Sequence, residues 1–134
     1  MSEPFDEAYR ERFDSIYRRN AWHGTDSHSL GADGVAAARD DLVPALESLV
    51  ERFGFDAVLD VGCGDSVWTP ELPGYIGVDV SIAALEQARK RHPEREFLLY
   101  EGGDLPAIEA ENGLVICKHV LQHMSPDDGV VLLD

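Results

Sequence analysis

The chain has 134 residues, with 26 Asp or Glu against 11 Lys or Arg, which gives a formal net charge of −15 at pH 7. This length suits one domain with its own core and is too short for two ordinary domains. The negative charge argues against a nucleic-acid partner, whose phosphates require a basic surface. No apolar run approaches the roughly 18 residues of a membrane span, and the acidic N-terminus lacks a signal-peptide segment, so we expect a cytoplasmic protein with no membrane partner.

The N-terminal part of the chain predicts two helices joined by a loop. Apolar residues recur at three- and four-residue intervals over Pro4 to Arg19, which is typical of an amphipathic helix. Residues 20–34 are rich in Gly, Ser, Asp and His and predict a binding loop or lid, with Trp22 as its bulky anchor. A second helix is predicted over 35–53, with a kink or break just before Pro44.

The rest of the chain alternates strands with helices. A helix is predicted over 82–92, with Ser81 as its N-cap, and another begins at Ser125. The predicted strands are 57–61, 75–80, 96–100 and 114–120. This alternation predicts an α/β fold with a parallel sheet and right-handed crossovers. Ligands of such sheets bind beyond the carboxyl ends of the strands.

A glycine turn and a distant carboxylate indicate the kind of ligand. Gly62 and Gly64 follow the first strand and allow a tight turn that a nucleotide can approach closely. A dinucleotide site also demands a third glycine, and Val67 occupies that position. Asp79 lies 19 residues after Asp60, where a carboxylate would bind ribose hydroxyls. Because an acid repels phosphates and attracts cations, the pattern favours a cationic nucleoside over NAD.

Four segments in this order resemble the motifs of class I S-adenosylmethionine-dependent methyltransferases. They are Val58–Asp65, Tyr75–Ser81, Gly102–Leu105 and Leu114–Met124. The resemblance covers residues 57–134 and implies a Rossmann-like three-layer sandwich with a mostly parallel sheet, preceded by two N-terminal helices. It also implies one structural domain, in which residues 1–55 supply the helices and lid loop and residues 56–134 form the core that binds S-adenosylmethionine.

The resemblance implies a cofactor role for residues at the ends of the first two strands. Asp60, Gly62 and Gly64 would hold the methionine end of S-adenosylmethionine. Asp79 would bind both ribose hydroxyls, and Val80 would pack on the adenine. The alternative for the two glycines is a turn with no ligand, which the placement of Asp79 disfavours.

Five further residues are implied as cofactor contacts. Asp104 and the Leu105 amide would read the adenine edge, although Asp104 before Leu-Pro is also an ordinary turn residue. The backbone of Lys118 would face the methionine amine. Arg39 resembles an arginine that some members direct at the methionine carboxylate, with a surface salt bridge as the alternative. The loop that carries Trp22 would close over the cofactor.

Two histidines are the candidate catalytic residues. Methyl transfer from a sulfonium is an in-line displacement that needs alignment and often one base. His123 and His119 follow the fourth strand, and imidazole titrates in the useful range. A structural role is the alternative for His123, and His119 stands where close relatives tend to show an acid. No metal is expected, because no carboxylate motif adjoins this pair. Cys63 and Cys117 are expected to be reduced and packed as small apolar residues.

The sequence ends at Asp134, whereas the sheet of the family continues beyond a fourth strand. We therefore expect a sheet truncated after the fourth strand, whose apolar edge is covered by a second copy in a homodimer or by a partner chain, or else a fragment of a longer protein. The predicted function is methyl transfer to an oxygen or nitrogen of a small-molecule acceptor. The alternative is a non-catalytic or incomplete S-adenosylmethionine-binding module that needs a partner chain or further C-terminal sequence.

Overall fold

The computed structural model describes residues 7–21, 32–118 and 120. Its helices are α1 Glu7–Arg19, α2 Ala32–Ala37, α3 Val43–Phe53 and α4 Ile82–Arg91, with a π-helical segment, Ala38–Leu42, between α2 and α3. Its strands are β1 Ala57–Val61, β2 Tyr75–Asp79, β3 Glu96–Leu99 and β4 Gly113–Cys117. Within these ranges, every helix is too short or too polar to cross a membrane.

The four strands form one parallel sheet in the order β3-β2-β1-β4. All five residues of β1 are buried, as expected for a strand that has a neighbour on each side. The register places Val61 opposite Val78 on β2 and opposite Cys117 on β4. The carboxyl ends of these three strands therefore lie side by side, and the loops that follow them share one edge of the sheet. The predicted parallel α/β fold is confirmed.

Apolar side chains pack on both faces of the sheet. Val58 belongs to a core cluster that also contains Leu46 of α3 and Leu85 of α4. Leu59 belongs to a second cluster, against which Phe13 of α1 packs. Alternate residues of β1 thus face different helices, because successive side chains of a strand point to opposite faces. The sheet is the middle layer of the predicted sandwich.

The predicted irregularity before Pro44 is present as a π-helical turn. The π segment ends at Leu42, and Pro44 lies in the first turn of α3. A proline fits there because the first amides of a helix have no intrahelical acceptor, so its missing N–H costs little. The chain keeps a helical conformation through this junction. The predicted helix from Ser125 and most of the predicted lid loop lie outside the described residues.

The edge of the sheet at β4 is exposed in the part of the chain that the structure describes. There, β4 pairs with β1 only, and its residues alternate between exposed and half-buried. Val115 is 56% exposed. Cys117 is exposed as well, so the prediction that both cysteines are packed inside is wrong for this one. The homodimer or partner chain that would cover this edge stays a prediction.

Candidate cofactor site

The glycine turn after β1 is tied to β2. The amides of Gly62 and Cys63 both donate to the Val78 carbonyl, at 2.7 and 3.1 Å. Gly62 has φ +74°, and a Cβ built on it would lie 2.2 Å from Cγ2 of Val120. Both the backbone conformation and the space therefore require glycine. The result is a tight turn at the carboxyl end of the sheet, where the sequence predicts a nucleoside site.

The Asp79 carboxylate joins this turn to the loop that follows β2. Its Oδ2 accepts a hydrogen bond from the Gly64 amide at 2.9 Å, and its Oδ1 accepts one from the Ser81 amide at 2.9 Å. Burial raises the pKa of Asp79, and the hydrogen bonds from these amides oppose that rise. The residue is half-buried. The Val80 amide also acts on this carboxylate, so backbone donors hold the group in place while it keeps acceptor capacity for a ligand.

Asp60 lies beneath the turn in a buried hydrogen-bond network. Its side chain is almost fully buried, and its Oδ2 accepts a hydrogen bond of 2.7 Å from the Tyr75 hydroxyl. Ser66 Oγ lies 3.1 Å from the same hydroxyl. Burial raises the pKa of Asp60 to about 6, with a further rise from the charge of Asp79, while the Tyr75 hydrogen bond lowers it. A buried acid with a perturbed pKa is typical of functional sites.

One arginine secures the loop that follows the turn. Arg95 donates to the Thr69 carbonyl at 3.0 Å and to Ser66 Oγ at 3.3 Å. Its guanidinium lies 5.2 Å from the centroid of the Tyr75 ring. The His92 ring contacts the Ser66 carbonyl at 3.0 Å. His92 and Arg95, which follow α4, therefore support this loop together with β2.

Asp14 is a buried acid of the site that sequence reasoning missed. Its Oδ1 accepts hydrogen bonds from Ser81 Oγ at 2.5 Å and from the Ala83 amide at 3.0 Å. Ser81 Oγ in turn accepts from the Ala84 amide at 3.1 Å, which confirms Ser81 as the N-cap of α4. The sequence offered one weak sign that Asp14 is buried. It lies one turn before Tyr17, on the face of α1 that is otherwise apolar.

Lys118, at the end of β4, lies over a tryptophan. Its Nζ is 5.5 Å from the centroid of the buried Trp68 ring, within the range of a cation–π contact. Partial burial lowers the pKa of Lys118, and the negative charge of Asp60 opposes this. The sequence predicted a role for the Lys118 backbone. The structure adds a side chain that brings positive charge toward Asp60.

The other predicted cofactor residues are spread around this edge. Val80 is buried, and Leu105 packs against the same apolar cluster. Asp104 is exposed, and it follows Gly103, whose carbonyl accepts a hydrogen bond from the Tyr100 hydroxyl. Arg39 is exposed in the π segment.

Three predicted site residues lie outside the described residues: Trp22, His119 and His123. Their roles in the site therefore stay predictions. Among residues 7–21, 32–118 and 120, no group of three or more His, Cys, Asp or Glu side chains is arranged to hold a metal ion.

Residues 58–134 match the family model described as "Methyltransferase domain", which is more than half of the chain. The chain belongs to this methyltransferase family. The predicted membership of the class I S-adenosylmethionine-dependent methyltransferases is thereby confirmed, and S-adenosylmethionine is the cofactor indicated for the domain. No curated protein sequence matches the chain.

Solved methyltransferase structures resemble this domain. One is magnesium protoporphyrin IX methyltransferase from Synechocystis PCC 6803, with bound SAH, at 14% identity and a TM-score of 0.61 over 94% of this chain and 64% of that one. Another is a protein from Methanococcus maripaludis provisionally assigned as an S-adenosyl-L-methionine-dependent methyltransferase, at 16% identity and a TM-score of 0.48 over 97% and 58%. The chain thus spans 64% of the length of the Synechocystis enzyme, and that likeness shows a shared fold.

Proposed function

We propose that this domain binds S-adenosylmethionine at the carboxyl edge of β1, β2 and β4 and transfers its methyl group to an oxygen or nitrogen of a small-molecule acceptor. The observation that carries the proposal is the Asp79 carboxylate. It is fixed by the Gly64 and Ser81 amides, at 2.9 Å each, beside a turn that only glycine can form. A carboxylate held in this way has a fixed orientation in which it can accept hydrogen bonds from the hydroxyls of a ribose.

The residues present fit a nucleoside better than a dinucleotide. Gly62 and Gly64 leave the backbone of the turn without side chains, so a ligand can approach it closely. Val80, a buried apolar residue directly after Asp79, is proposed to border the adenine ring. Asp60 and Asp79 place two carboxylates at this edge, which favours a cationic ligand and disfavours a pyrophosphate.

S-adenosylmethionine supplies a methyl group bound to a positively charged sulfur, which an acceptor atom can attack directly. The contribution of the chain is to hold the two reactants in line and to exclude water. We propose that Asp79 orients the ribose and that Asp60, Gly62 and Gly64 hold the methionine end. Asp104, Leu105, Lys118, Arg39 and Trp22 are proposed as further cofactor contacts. His123 or His119 would take the proton that the acceptor loses.

Calorimetric titration with S-adenosylhomocysteine tests the binding half of the proposal. We expect wild-type chain to bind and Asp79→Ala to bind about tenfold or more weakly, because a hydrogen bond to a charged acceptor contributes roughly 1.5–3 kcal/mol. Glu71→Ala, which removes an exposed acid from the neighbouring loop, is the matched control and should bind like wild type. Unchanged affinity in Asp79→Ala would overturn the assignment of the ribose site.

A second candidate is a cofactor-binding module that needs a partner chain or further sequence for catalysis. It is favoured by β4, which pairs only with β1 in the described part of the chain and leaves Val115 56% exposed. Turnover of labelled S-adenosylmethionine with pooled small-molecule acceptors separates the two candidates. Methylated product from this chain alone supports the enzyme, and binding without turnover supports the module.

The remaining partner predictions are also proposals. The net charge of −15 supports a small neutral or cationic acceptor over a nucleic acid. We also propose a homodimer through the β4 edge and a cytoplasmic location. Sedimentation of the chain at increasing concentration tests the dimer, because a constant monomer mass contradicts it.

A further inference from the structure

A carboxylate of α1 contacts the loop that carries the proposed ribose-binding acid. Asp14 and Ser81 are separated by 67 positions in sequence, yet Ser81 Oγ donates to Asp14 Oδ1 at 2.5 Å. The Ala83 amide donates to the same oxygen at 3.0 Å. Asp14 is 8% exposed, so these bonds are shielded from water. Such charge-assisted bonds are stronger than neutral ones.

Ser81 stands between two carboxylates. Its hydroxyl donates a hydrogen bond to Asp14 and accepts one from the Ala84 amide. Its own amide donates to Asp79 Oδ1 at 2.9 Å. The N-terminal amides of α4 thus have two caps, one local and one from α1. Displacement of Asp14 would leave the Ala83 amide and the Ser81 hydroxyl without these acceptors. The position of the Ser81 amide, and with it that of Asp79, therefore depends on α1.

The packing of α1 reinforces this connection. Tyr17 is buried against Ala83 and Ala84 at the start of α4. Tyr9 and Phe13 pack against the apolar cluster that contains Val80. The helix that supplies Asp14 therefore lies against the same loop by apolar contacts, and it borders the residues proposed for ribose and for adenine.

We infer that Asp14 is a positioning residue of the cofactor site: through Ser81 it holds the Asp79 carboxylate in the orientation that binds the ribose, and so it couples the docking of α1 to cofactor binding. The inference rests on the proposed function. Asp14 itself touches no cofactor atom in this scheme and acts on the ligand through the loop after β2. Because coupling is reciprocal, a bound cofactor must also stabilise α1 in its docked position.

Ligands that differ at the ribose test the inference. Binding of S-adenosylhomocysteine and of its 2′-deoxy analogue is measured by calorimetry for wild type, Asp14→Ala, Asp14→Asn and Ser81→Ala. In Asp14→Ala we expect S-adenosylhomocysteine to bind about tenfold more weakly than to wild type and the deoxy analogue about twofold more weakly. The discrimination, which is the ratio of the two affinities, therefore falls. Asp14→Asn should keep most of the affinity, because both bonds end on one oxygen that an amide retains.

The control is Glu11→Ala, which removes an exposed acid three positions away on the same helix and should leave both affinities unchanged. If Asp14→Ala fails to fold, Ser81→Ala carries the test, since it removes only the hydroxyl and should also lower the discrimination. Hydrogen exchange supplies a second readout: S-adenosylhomocysteine should slow exchange in α1 of wild type and less so in the Ser81→Ala variant.

Three results overturn the inference in distinguishable ways. Equal loss for both ligands, with their ratio kept, means that Asp14 supports the fold without positioning Asp79. Wild-type chain that binds neither ligand refutes the proposed function and the inference together. Wild-type binding with full discrimination in every variant refutes the inference alone.

Discussion

The Tyr75 hydroxyl donates a hydrogen bond of 2.7 Å to Oδ2 of Asp60, an acid that is 2% exposed. The first residue of β2 thus supports the fourth residue of β1 across the sheet. Arg95 lies over the same tyrosine ring, 5.2 Å from its centroid. A buried carboxylate is costly unless it is hydrogen-bonded, so Tyr75 makes it feasible to keep an acid beneath the glycine turn.

Tyr75→Phe should therefore destabilise the domain most at pH values at which Asp60 is ionised. We expect the free energy of unfolding to fall by about 1.5–3 kcal/mol at pH 8 and by about 1 kcal/mol at pH 5, because hydrogen bonds to charged groups are the stronger ones. Urea denaturation at both pH values measures this. Tyr100→Phe is the control, since its hydroxyl donates to the neutral Gly103 carbonyl and its loss should not depend on pH. Equal pH dependence in the two variants would contradict the role of Tyr75.

The raised pKa of Asp60 predicts how stability changes with pH. Folding raises this pKa from 3.8 to about 6, so the folded chain binds the proton more tightly than the unfolded chain does. The contribution of Asp60 to stability is therefore fully present below about pH 4 and is lost as the pH rises through about 6. The shift corresponds to roughly 3 kcal/mol. Asp60→Asn should remove this loss and leave the domain more stable than wild type at pH 7.

Urea denaturation of wild type and Asp60→Asn between pH 4 and 8 provides the measurement. The comparison matters because 26 acidic residues contribute a background that both proteins share. We expect the difference between the two curves to grow from pH 4 to 7 and then level off. A constant difference across that range would mean that Asp60 titrates normally. The same variant should bind S-adenosylmethionine more weakly, and S-adenosylhomocysteine less so, if the negative charge serves the sulfonium of the cofactor.

Gly62→Ala should be more harmful than the same change at another glycine with positive φ. A methyl group at Gly62 would lie 2.2 Å from Val120 Cγ2 and would also force a left-handed conformation, at φ +74°. Gly103 has φ +78° and nothing within 4 Å of the same methyl position, so Gly103→Ala isolates the conformational cost. We expect Gly103→Ala to lower the free energy of unfolding by about 1–2 kcal/mol. Gly62→Ala should lower it by the same amount and by roughly 1–3 kcal/mol more for the steric clash.

Thermal or urea unfolding compares the two glycine variants. Adding Val120→Ala to Gly62→Ala should recover the steric part of the loss and leave the conformational part. Similar losses for Gly62→Ala and Gly103→Ala would mean that Val120 does not pack on the turn. The double variant also separates the clash from a general disturbance of this edge. Two unrelated disturbances would add, whereas these two changes are expected to compensate each other.

The two thiols should differ in accessibility. Cys117 is exposed at the end of β4, whereas Cys63 is buried in the glycine turn. A thiol reagent should modify one cysteine in the folded chain and the second only after unfolding. Burial raises the pKa of Cys117, with a further rise from the charge of Asp60, so the reaction should be slow at neutral pH. Cys117→Ser should abolish the first phase, and its persistence would contradict the exposure of this residue.

Local chemistry explains what the sequence could predict. The limits of β1, the N-cap at Ser81 and the acid at the end of β2 follow from apolar runs, capping preferences and spacing along a short segment. The contacts that Asp14 and Tyr75 make could not be predicted in this way. Asp14 meets Ser81 across 67 positions and Tyr75 meets Asp60 across 15, so both contacts depend on how elements pack.

Other differences have a similar origin. Pro44 predicted a kink or break of the helix, and the structure has a π-helical turn there, which the proline alone does not specify. The apolar run around Cys117 predicted burial, whereas exposure depends on what lies beside β4. Exposure at a strand edge is a property of the neighbouring element and has no local sequence signal.

The buried charge of Asp60 and a bound cofactor would act on the stability of the domain in opposite directions. Ionisation of Asp60 removes roughly 3 kcal/mol of stability at neutral pH. A ligand that binds only the folded chain, at a hundred times its Kd, restores about 2.7 kcal/mol. These two quantities are of similar size, so cofactor binding at the proposed site would offset the stability that the ionised Asp60 removes.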